Sequence, residues 1–234
     1  MLTCKRNIFR PVARFAGRCG TVVSIAVFLL VAGCATCEPR PNLGLYKQKL
    51  TAWYDSGGYA RCFSESALTA SRALQREISK RRPGDRIVVV LDIDETCLSN
   101  WGYLTHVGFD VDAETFRDWV RTHNDPALQP TLELFRQAKA AGVPVFLVTG
   151  RRETLRKYTE RQLRAAGFDS WDGLYLAPVA YNQDSIVPFK SGVREKLTKV
   201  GWRIVLNMGD QWSDLEGGYA VHAVKLPNPY YFIR

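Results

Sequence analysis

The sequence predicts an α/β protein, a parallel sheet with helices on both faces and a small, mainly helical cap. Three observations predict it. The runs "RIVVVLD" from Arg86, "VPVFLVTG" from Val143 and "RIVLNMGD" from Arg203 are short and mostly apolar, which marks strands buried on both faces. Segments of helical composition separate them, and several end at a glycine, the residue that closes a helix at little steric cost. Strand and helix then alternate toward the C-terminus without an internal repeat, as in a sheet assembled from crossover units.

Taken in order, residues 1–33 read as a targeting segment. Lys5, Arg6, Arg10, Arg14 and Arg18 precede the apolar run from Thr21 to Gly33, and no acid lies among them. That run of 13 residues is too short to span a bilayer, which needs about 20. A basic stretch before a short apolar one is a secretory signal. The ending "VAGC" resembles a bacterial lipobox. The resemblance implies cleavage before Cys34, a diacylated Cys34 and a stable membrane anchor. With Ala35 in place of Asp, it also implies the outer membrane, on its periplasmic or outer side. The alternative is an ordinary cleaved signal followed by a chance cysteine. Residues 34–42 read as a tether, and 43–234 as one domain.

From Leu43 to Arg82 the composition is helical, broken at "DSGG", with Leu68, Ala73, Leu74 and Ile78 at roughly helical spacing. Pro83-Gly84 ends it. After the first strand, Asp112 caps a helix that runs through Arg121. Pro130 opens a helix to Ala141, closed by Gly142. Glu153 to Ala166 form another, closed by Gly167. "DGLYLAP" is a third strand between the second and fourth runs, Ser191 to Val200 a helix closed by Gly201, and "HAVKLP" a fifth strand. Residues of about 43–82 and 98–128 are expected to build the cap.

Composition excludes several function classes. The net charge is +9, but removing the five leader cations leaves +4. The "SKRRPGDR" run reads as a solvated helix end, so no nucleic-acid partner is expected. "CATC" is a lone CxxC with no second pair for zinc, and Cys62 and Cys97 read as small buried hydrophobes. The chain has no RHG, GxxxxGK or GxSxG sequence, and His106, His123 and His222 are scattered. A histidine phosphatase, a P-loop kinase and a serine hydrolase are therefore disfavoured.

The polar residues fall where this architecture puts chemistry. Ligands of open α/β sheets bind beyond the carboxyl ends of the strands. Three apolar runs end there in Asp92-Ile93-Asp94, Thr149-Gly150-Arg151 and Gly209-Asp210. Residues two apart on a strand share a face, so Asp92 and Asp94 can enter one pocket. "GDQWSDL" adds Asp210 and Asp214 four residues apart. Four carboxylates at one edge repel each other unless a cation joins them. Oxygen donors without a His or Cys cluster favour Mg²⁺ over zinc. Lys190, just before a helix, supplies a fixed positive charge.

"DIDET", "LVTGR", "PFKS" and "GDQWSDL", in that order, resemble the four motifs of the haloacid dehalogenase (HAD) superfamily, at Asp92/Asp94/Thr96, Thr149, Lys190 and Asp210/Asp214. "DIDETCLSNWGY", "GDQWSDL" and "KLPNPYY" further resemble its acid phosphatase family, which joins plant vegetative-storage-like proteins to bacterial lipoprotein acid phosphatases. The likeness runs from about Tyr46 to the C-terminus. It implies a HAD-like Rossmannoid fold that hydrolyses phosphomonoesters through an aspartyl phosphate. By resemblance Asp92 is the nucleophile and Asp94 the general acid, then base. Asp94 must begin protonated, and neighbouring carboxylates are expected to raise its pKa, which suits an acidic optimum. Thr149 Oγ and the N–H of Gly150 would hold phosphate oxygens, and Lys190 would neutralise the phosphoryl group. Mg²⁺ would bind Asp92, the Asp94 carbonyl, Asp210 and Asp214. Arg151 would reach the phosphate or lie on the surface. One departure stands out. The bacterial lipoproteins commonly read Thr-Asn-Arg where this chain has Thr149-Gly150-Arg151, as in the plant-like branch.

The aromatics Trp101, Tyr103, Trp119, Tyr230 and Tyr231 cluster in the insert and at the end. In related phosphatases such rings sandwich a nucleoside base, which implies nucleoside 5′-monophosphates among the substrates. Core packing is the competing reading, most evenly matched for Trp119. The alternative from another class is a non-catalytic binding or storage protein on the same fold.

Overall fold

A computed structural model describes residues 42–233. The signal segment, Cys34 and all but the last residue of the tether lie outside the described residues. The order is α1 (Leu43–Asp55), α2 (Gly58–Ser79), β1 (Ile87–Leu91), α3 (Trp101–His106), α4 (Ala113–Thr122), α5 (Gln129–Ala140), β2 (Val145–Arg152), a 3-10 turn (Glu153–Leu155), α6 (Arg156–Ala165), β3 (Gly173–Ala177), α7 (Val187–Lys199), β4 (Arg203–Gly209), α8 (Trp212–Leu215) and β5 (Ala220–Lys225). Among the described residues no helix is long and apolar enough to cross a membrane.

The five strands form one parallel sheet in the order β3-β2-β1-β4-β5. The chain starts at the centre, builds outward through β2 and β3, then returns to build β4 and β5 on the other side. Loops leaving β1 and β4 therefore diverge beside β1, which opens a crevice at the carboxyl edge. Alternation along β1 explains the two layers. Ile87, Val89 and Leu91 enter one core with α2, α5 and Leu163 of α6. Val88 and Val90 enter the other with Val193 and Leu197 of α7.

Two expectations change here. Residues 43–82 were expected in the cap, yet α2 covers the sheet beside β4, β5 and α5. Its stripe of Phe63, Ala67, Ala70 and Leu74 is buried in the first core, at the helical spacing a sheet face requires. Leu68 falls outside that stripe and is half exposed. Second, the helix expected from Ser191 begins at Val187, with Pro188 in its first turn, a position where the missing N–H costs nothing. Lys190 is thus inside α7, not before it.

One register irregularity lies within β1, between Val88 and Val89 against β4, and the other at the polar end of β2. Between β2 and β3, Thr149 pairs with Leu176 and Arg152 with Ala177, so Gly150 and Arg151 bulge out of the ladder.

At the other end of the sheet, Glu77 of α2 is buried. It accepts from Arg203 Nη1 at 2.8 Å and lies 3.4 Å from His222 Nε2. The hydrogen bond from Arg203 holds its carboxyl below the ordinary value of 4.5, against the opposing pull of burial. A lowered carboxyl pKa stabilises the fold above the unfolded value, and that contribution fades as pH falls through the folded one. Glu77→Gln should therefore lower Tm at neutral pH and show a smaller deficit below about pH 4. Thermal unfolding across pH tests this, and a deficit constant with pH would refute it.

Candidate active site

The central strands β2, β1 and β4 deliver their ends to one place. Asp92 follows β1, and its N–H still donates to Met208 O at 3.0 Å, so its backbone is fixed by β4. The chain then turns tightly. Ile93 O accepts from the N–H groups of Thr96, Cys97 and Leu98, and Glu95 adopts φ 49°, a left-handed conformation unusual for a residue with a Cβ. Cys97 is buried, as expected, and its thiol donates to Asp92 O at 3.1 Å.

Lys190, from the first turn of α7, reaches the same point. Its ammonium donates to Asp92 Oδ1 at 2.7 Å and to Asp214 Oδ1. Asp214 lies in α8, whose cap is Gln211; Gln211 N–H donates back to Asp214 Oδ2 at 2.7 Å. Asp210 precedes this cap, so it is the turn after β4, rather than a helical repeat, that brings it near Asp214. The Asp214 carbonyl accepts from Arg194 Nη1 at 2.6 Å and Asn207 Nδ2 at 2.8 Å. Carboxylate oxygens of Asp92, Asp210 and Asp214 all lie within 4.8 Å of one another, and all three residues are buried.

Such a cluster is unfavourable unless positive charge joins it. Burial pushes the Asp92 carboxyl well up, with Asp214, Asp210 and Asp94 adding to the shift and Lys190 opposing it. Burial and the charges of Asp214 and Glu95 push Asp210 up to about 7. Burial opposes the charge on Lys190, but Asp214 and Asp92 outweigh it and raise its pKa. The three carboxylates are a hard, all-oxygen donor set that can hold a divalent metal ion.

Asp94 behaves differently from the expectation. Its side chain is absent from the carboxylate cluster and turns to Arg151, which donates from Nε at 3.0 Å and from Nη2 at 2.7 Å, and to Asn100 Nδ2 at 2.9 Å. Burial raises its pKa, but the charge and hydrogen bonds of Arg151 outweigh that and hold the carboxyl below its ordinary value. Neighbouring carboxylates do not dominate. Arg151 is itself no surface residue. It is 4% exposed, with Nη1 donating to Gln162 Oε1 at 2.7 Å and to Thr159 Oγ1 at 3.3 Å.

Above the carboxylates lies a cavity of about 680 Å³, with Asp92, Asp94, Gly150, Lys190 and Asp210 at its base. Thr149 is buried and is absent from the lining; its Oγ1 accepts from Arg151 N–H at 3.1 Å. Of the five aromatics proposed from sequence, Tyr103 and Tyr231 line the cavity. Trp101 stacks on Tyr54 at 3.6 Å, and Tyr230 packs against Tyr59 and Trp101. Trp119 stacks on His123 and donates to Asp125 Oδ1 at 2.9 Å. These three serve packing. Phe116, Tyr181 and Phe232 line the cavity instead and carried no distinguishing sequence signal. Asn100 and Asn228 were also overlooked, although both stood in the quoted family text. Asn228 Nδ2 donates to Asp210 Oδ2 at 2.6 Å.

Gly209 is needed for this geometry. A Cβ there would lie 2.3 Å from Asp214 Oδ2. Gly209→Ala should force the carboxylate aside and cost about 1–3 kcal/mol, measured by denaturant unfolding. A variant as stable as the parent would show that Asp214 is free to move.

Comparison with known proteins gives the family and the fold. Residues 47–234 match the family described as HAD superfamily, subfamily IIIB (acid phosphatase). Acid phosphatase 1 of Solanum lycopersicum is 40% identical over 152 residues, covering 63% of this chain and 60% of the relative. The stem 28 kDa glycoprotein of Glycine max is 36% identical over 151 residues, covering 62% and 59%. Vegetative storage protein 1 of Arabidopsis thaliana is 32% identical over 150 residues, covering 62% and 55%. The chain thus matches about 60% of the length of the first of these relatives. The class C acid phosphatase from Bacillus anthracis superposes with a TM-score of 0.63 at 20% identity, over 80% of this chain and 86% of that one. At that identity the likeness shows the fold. The residues matched by the family, 47–234, include the whole five-stranded sheet of this chain and its buried carboxylates, and the chain belongs to the acid phosphatase family of the HAD superfamily, subfamily IIIB.

Proposed function

We propose that the protein is a Mg²⁺-dependent phosphomonoesterase that works through an aspartyl phosphate on Asp92, with nucleoside 5′-monophosphates among its substrates. The observation that carries this is the meeting of Asp92, Lys190 and Asp210 at one cavity, with Asp94 beside them and Asp214 buried against Lys190 and within 4.8 Å of the other two carboxylates.

Asp92, Asp210 and Asp214, with the Asp94 carbonyl, would hold Mg²⁺, which when bound offsets carboxylate charge and draws in phosphate oxygens. The remaining work falls to the chain. A carboxylate oxygen of Asp92 attacks phosphorus as the bond to the ester oxygen breaks, and Asp94, protonated only in acid because Arg151 holds its carboxyl below the ordinary value, gives that proton to the departing alkoxide. Water then attacks the phosphorus of the acyl phosphate. Asp94 takes the water's proton, and the bond to Asp92 breaks to release phosphate. Lys190 balances the charge that builds beside Asp92. Thr149 Oγ1, expected to hold a phosphate oxygen, is instead taken by Arg151 N–H and supports the bulge from behind, while Gly150 offers backbone to a phosphate oxygen. The grip of Arg151 and Asn100 on Asp94 fixes the proton carrier toward the cavity.

For the substrate, the cavity falls within the size range of small-ligand sites. Tyr103, Phe116, Tyr181, Tyr231 and Phe232 supply the rings for a base, in place of the set expected from sequence. The lipid anchor at Cys34, on the outer membrane, belongs to the same reading, on residues outside those described. The competing reading, a non-catalytic storage protein, draws on the names of some relatives. Asp92 and its partners argue against it, because a storage role requires no nucleophile.

Asp92→Asn should lower phosphate release by about four or more orders of magnitude, and a chelator should abolish release until Mg²⁺ is restored. Release that survives both treatments would overturn the mechanism. On a panel of esters, nucleoside 5′-monophosphates should exceed small alkyl phosphates in kcat/KM by about tenfold or more. Equal values would remove the base-binding role of the rings.

A further inference from the structure

We propose that Asn228 is a positioning residue of the metal centre, joining the C-terminal turn to the carboxylate of Asp210. This rests on the reading that Asp92, Asp210 and Asp214 hold a divalent cation. Asn228 follows β5, 18 residues beyond Asp210, and its amide has two separate tasks. The oxygen, Oδ1, accepts from the N–H of Tyr230 at 2.9 Å and lies 3.4 Å from that of Tyr231. That is a turn cap, of the kind an Asn makes with its own backbone two residues on. The nitrogen, Nδ2, donates to Asp210 Oδ2 at 2.6 Å. The second bond does nothing for the turn, so its effect falls on Asp210.

That effect is orientation. Asp210 Oδ2 also accepts from Gln211 Nε2 at 2.8 Å. Both amides therefore hold the same oxygen. Oδ1 has only a long contact, 3.4 Å, to Thr96 Oγ1, and is the oxygen left for a cation. Groups that fix a metal-binding carboxylate in this way typically change metal affinity 10- to 100-fold. The tail is tied down at further points. Lys225 Nζ donates to the Asp210 carbonyl, Ile233 N–H donates to Gln211 Oε1 at 3.2 Å, and Tyr231 Oη donates to Glu95. Since Tyr231, Phe232 and Ile233 line the cavity, one amide couples the cation's carboxylate to the substrate wall.

Two variants separate the tasks. Asn228→Ser keeps an oxygen that can cap the turn but is too short to reach Asp210; Asn228→Ala loses both. Titration calorimetry of chelator-treated protein with MgCl₂, without substrate, is the measurement, alongside Tm of the metal-free forms. Both variants should bind Mg²⁺ about 10- to 100-fold more weakly, while metal-free Asn228→Ser melts close to the parent. Equal affinity in parent and Asn228→Ser would overturn the role of Asn228 alone. A parent protein that binds no divalent cation would overturn the metal centre, and this proposal with it. Failure of both variants to fold would make Asn228 a folding residue and overturn the positioning role.

Discussion

The ammonium of Lys190, held between Asp92 and Asp214, is the contact on which the carboxyl edge of the sheet depends. Asp92, Glu95, Asp210 and Asp214 are all buried there, with Asp94 partly buried beside them. Removing one partner of a buried ion pair typically costs about 3–5 kcal/mol, because the other charge is left without compensation. The fixed cations are divided. Lys190 serves Asp92 and Asp214, and Arg151 serves Asp94. The carboxylates of Asp210 and Glu95 have only neutral side-chain donors: Gln211, Asn228 and, at 3.4 Å, Thr96 for the first, Asn100 and Tyr231 for the second. Burial pushes these two up, to about 7 and about 8, with like charges adding to it. The two carboxylates without a cation of their own are thus Asp210, whose carbonyl rather than carboxylate takes Lys225, and Glu95.

Helix α7 carries much of the construction. Lys190 and Arg194 are one turn apart on it and face the loop after β4. Lys190 takes the Asp214 carboxylate. Arg194 takes the carbonyls of Asp214, Glu216 and Gly218. A helix packed on the second core through Val193 and Leu197 therefore fixes both the cation and the loop that opposes it. Rigid support of this kind is what a charge-stabilising site requires, since a donor that must reorganise loses much of its effect. The α7 boundary matters for the same reason: starting at Val187 places Lys190 on a rigid turn.

Local chemistry explains how much was legible beforehand. The strands were readable because a strand covered on both faces leaves a continuous apolar run, and β1, β2 and β4 each have one. The helix ends at Gly142, Gly167 and Gly201 were readable because positive φ, 63°, 92° and 89° here, selects glycine. The aspartates were readable because carboxylates at the ends of apolar strands have no structural reason to be there. The layer to which α2 belongs was not readable, since an apolar stripe fits a sheet as well as a cap. Nor were the partners of Asp94 readable. Arg151 is held inward by Asp94, Thr159 and Gln162, partners that the Thr-Gly-Arg sequence does not name.

By itself, the sequence determined the parallel α/β architecture, the four groups of polar residues and the edge at which they meet. These follow from periodicity and from residue type, which are local properties. The tertiary structure decided which charge faces which. It assigned Arg151 to Asp94, so that the carboxyl expected to be raised is held low. It set Trp101, Trp119 and Tyr230 into packing, brought Phe116, Tyr181 and Phe232 to the cavity and tied Asn228 to Asp210. Most of these join residues far apart in the chain, 57 positions for Arg151 and Asp94, Trp119 with its partners His123 and Asp125 being the local case. Coulomb energies and ring contacts depend on distance in space, which only the folded chain sets.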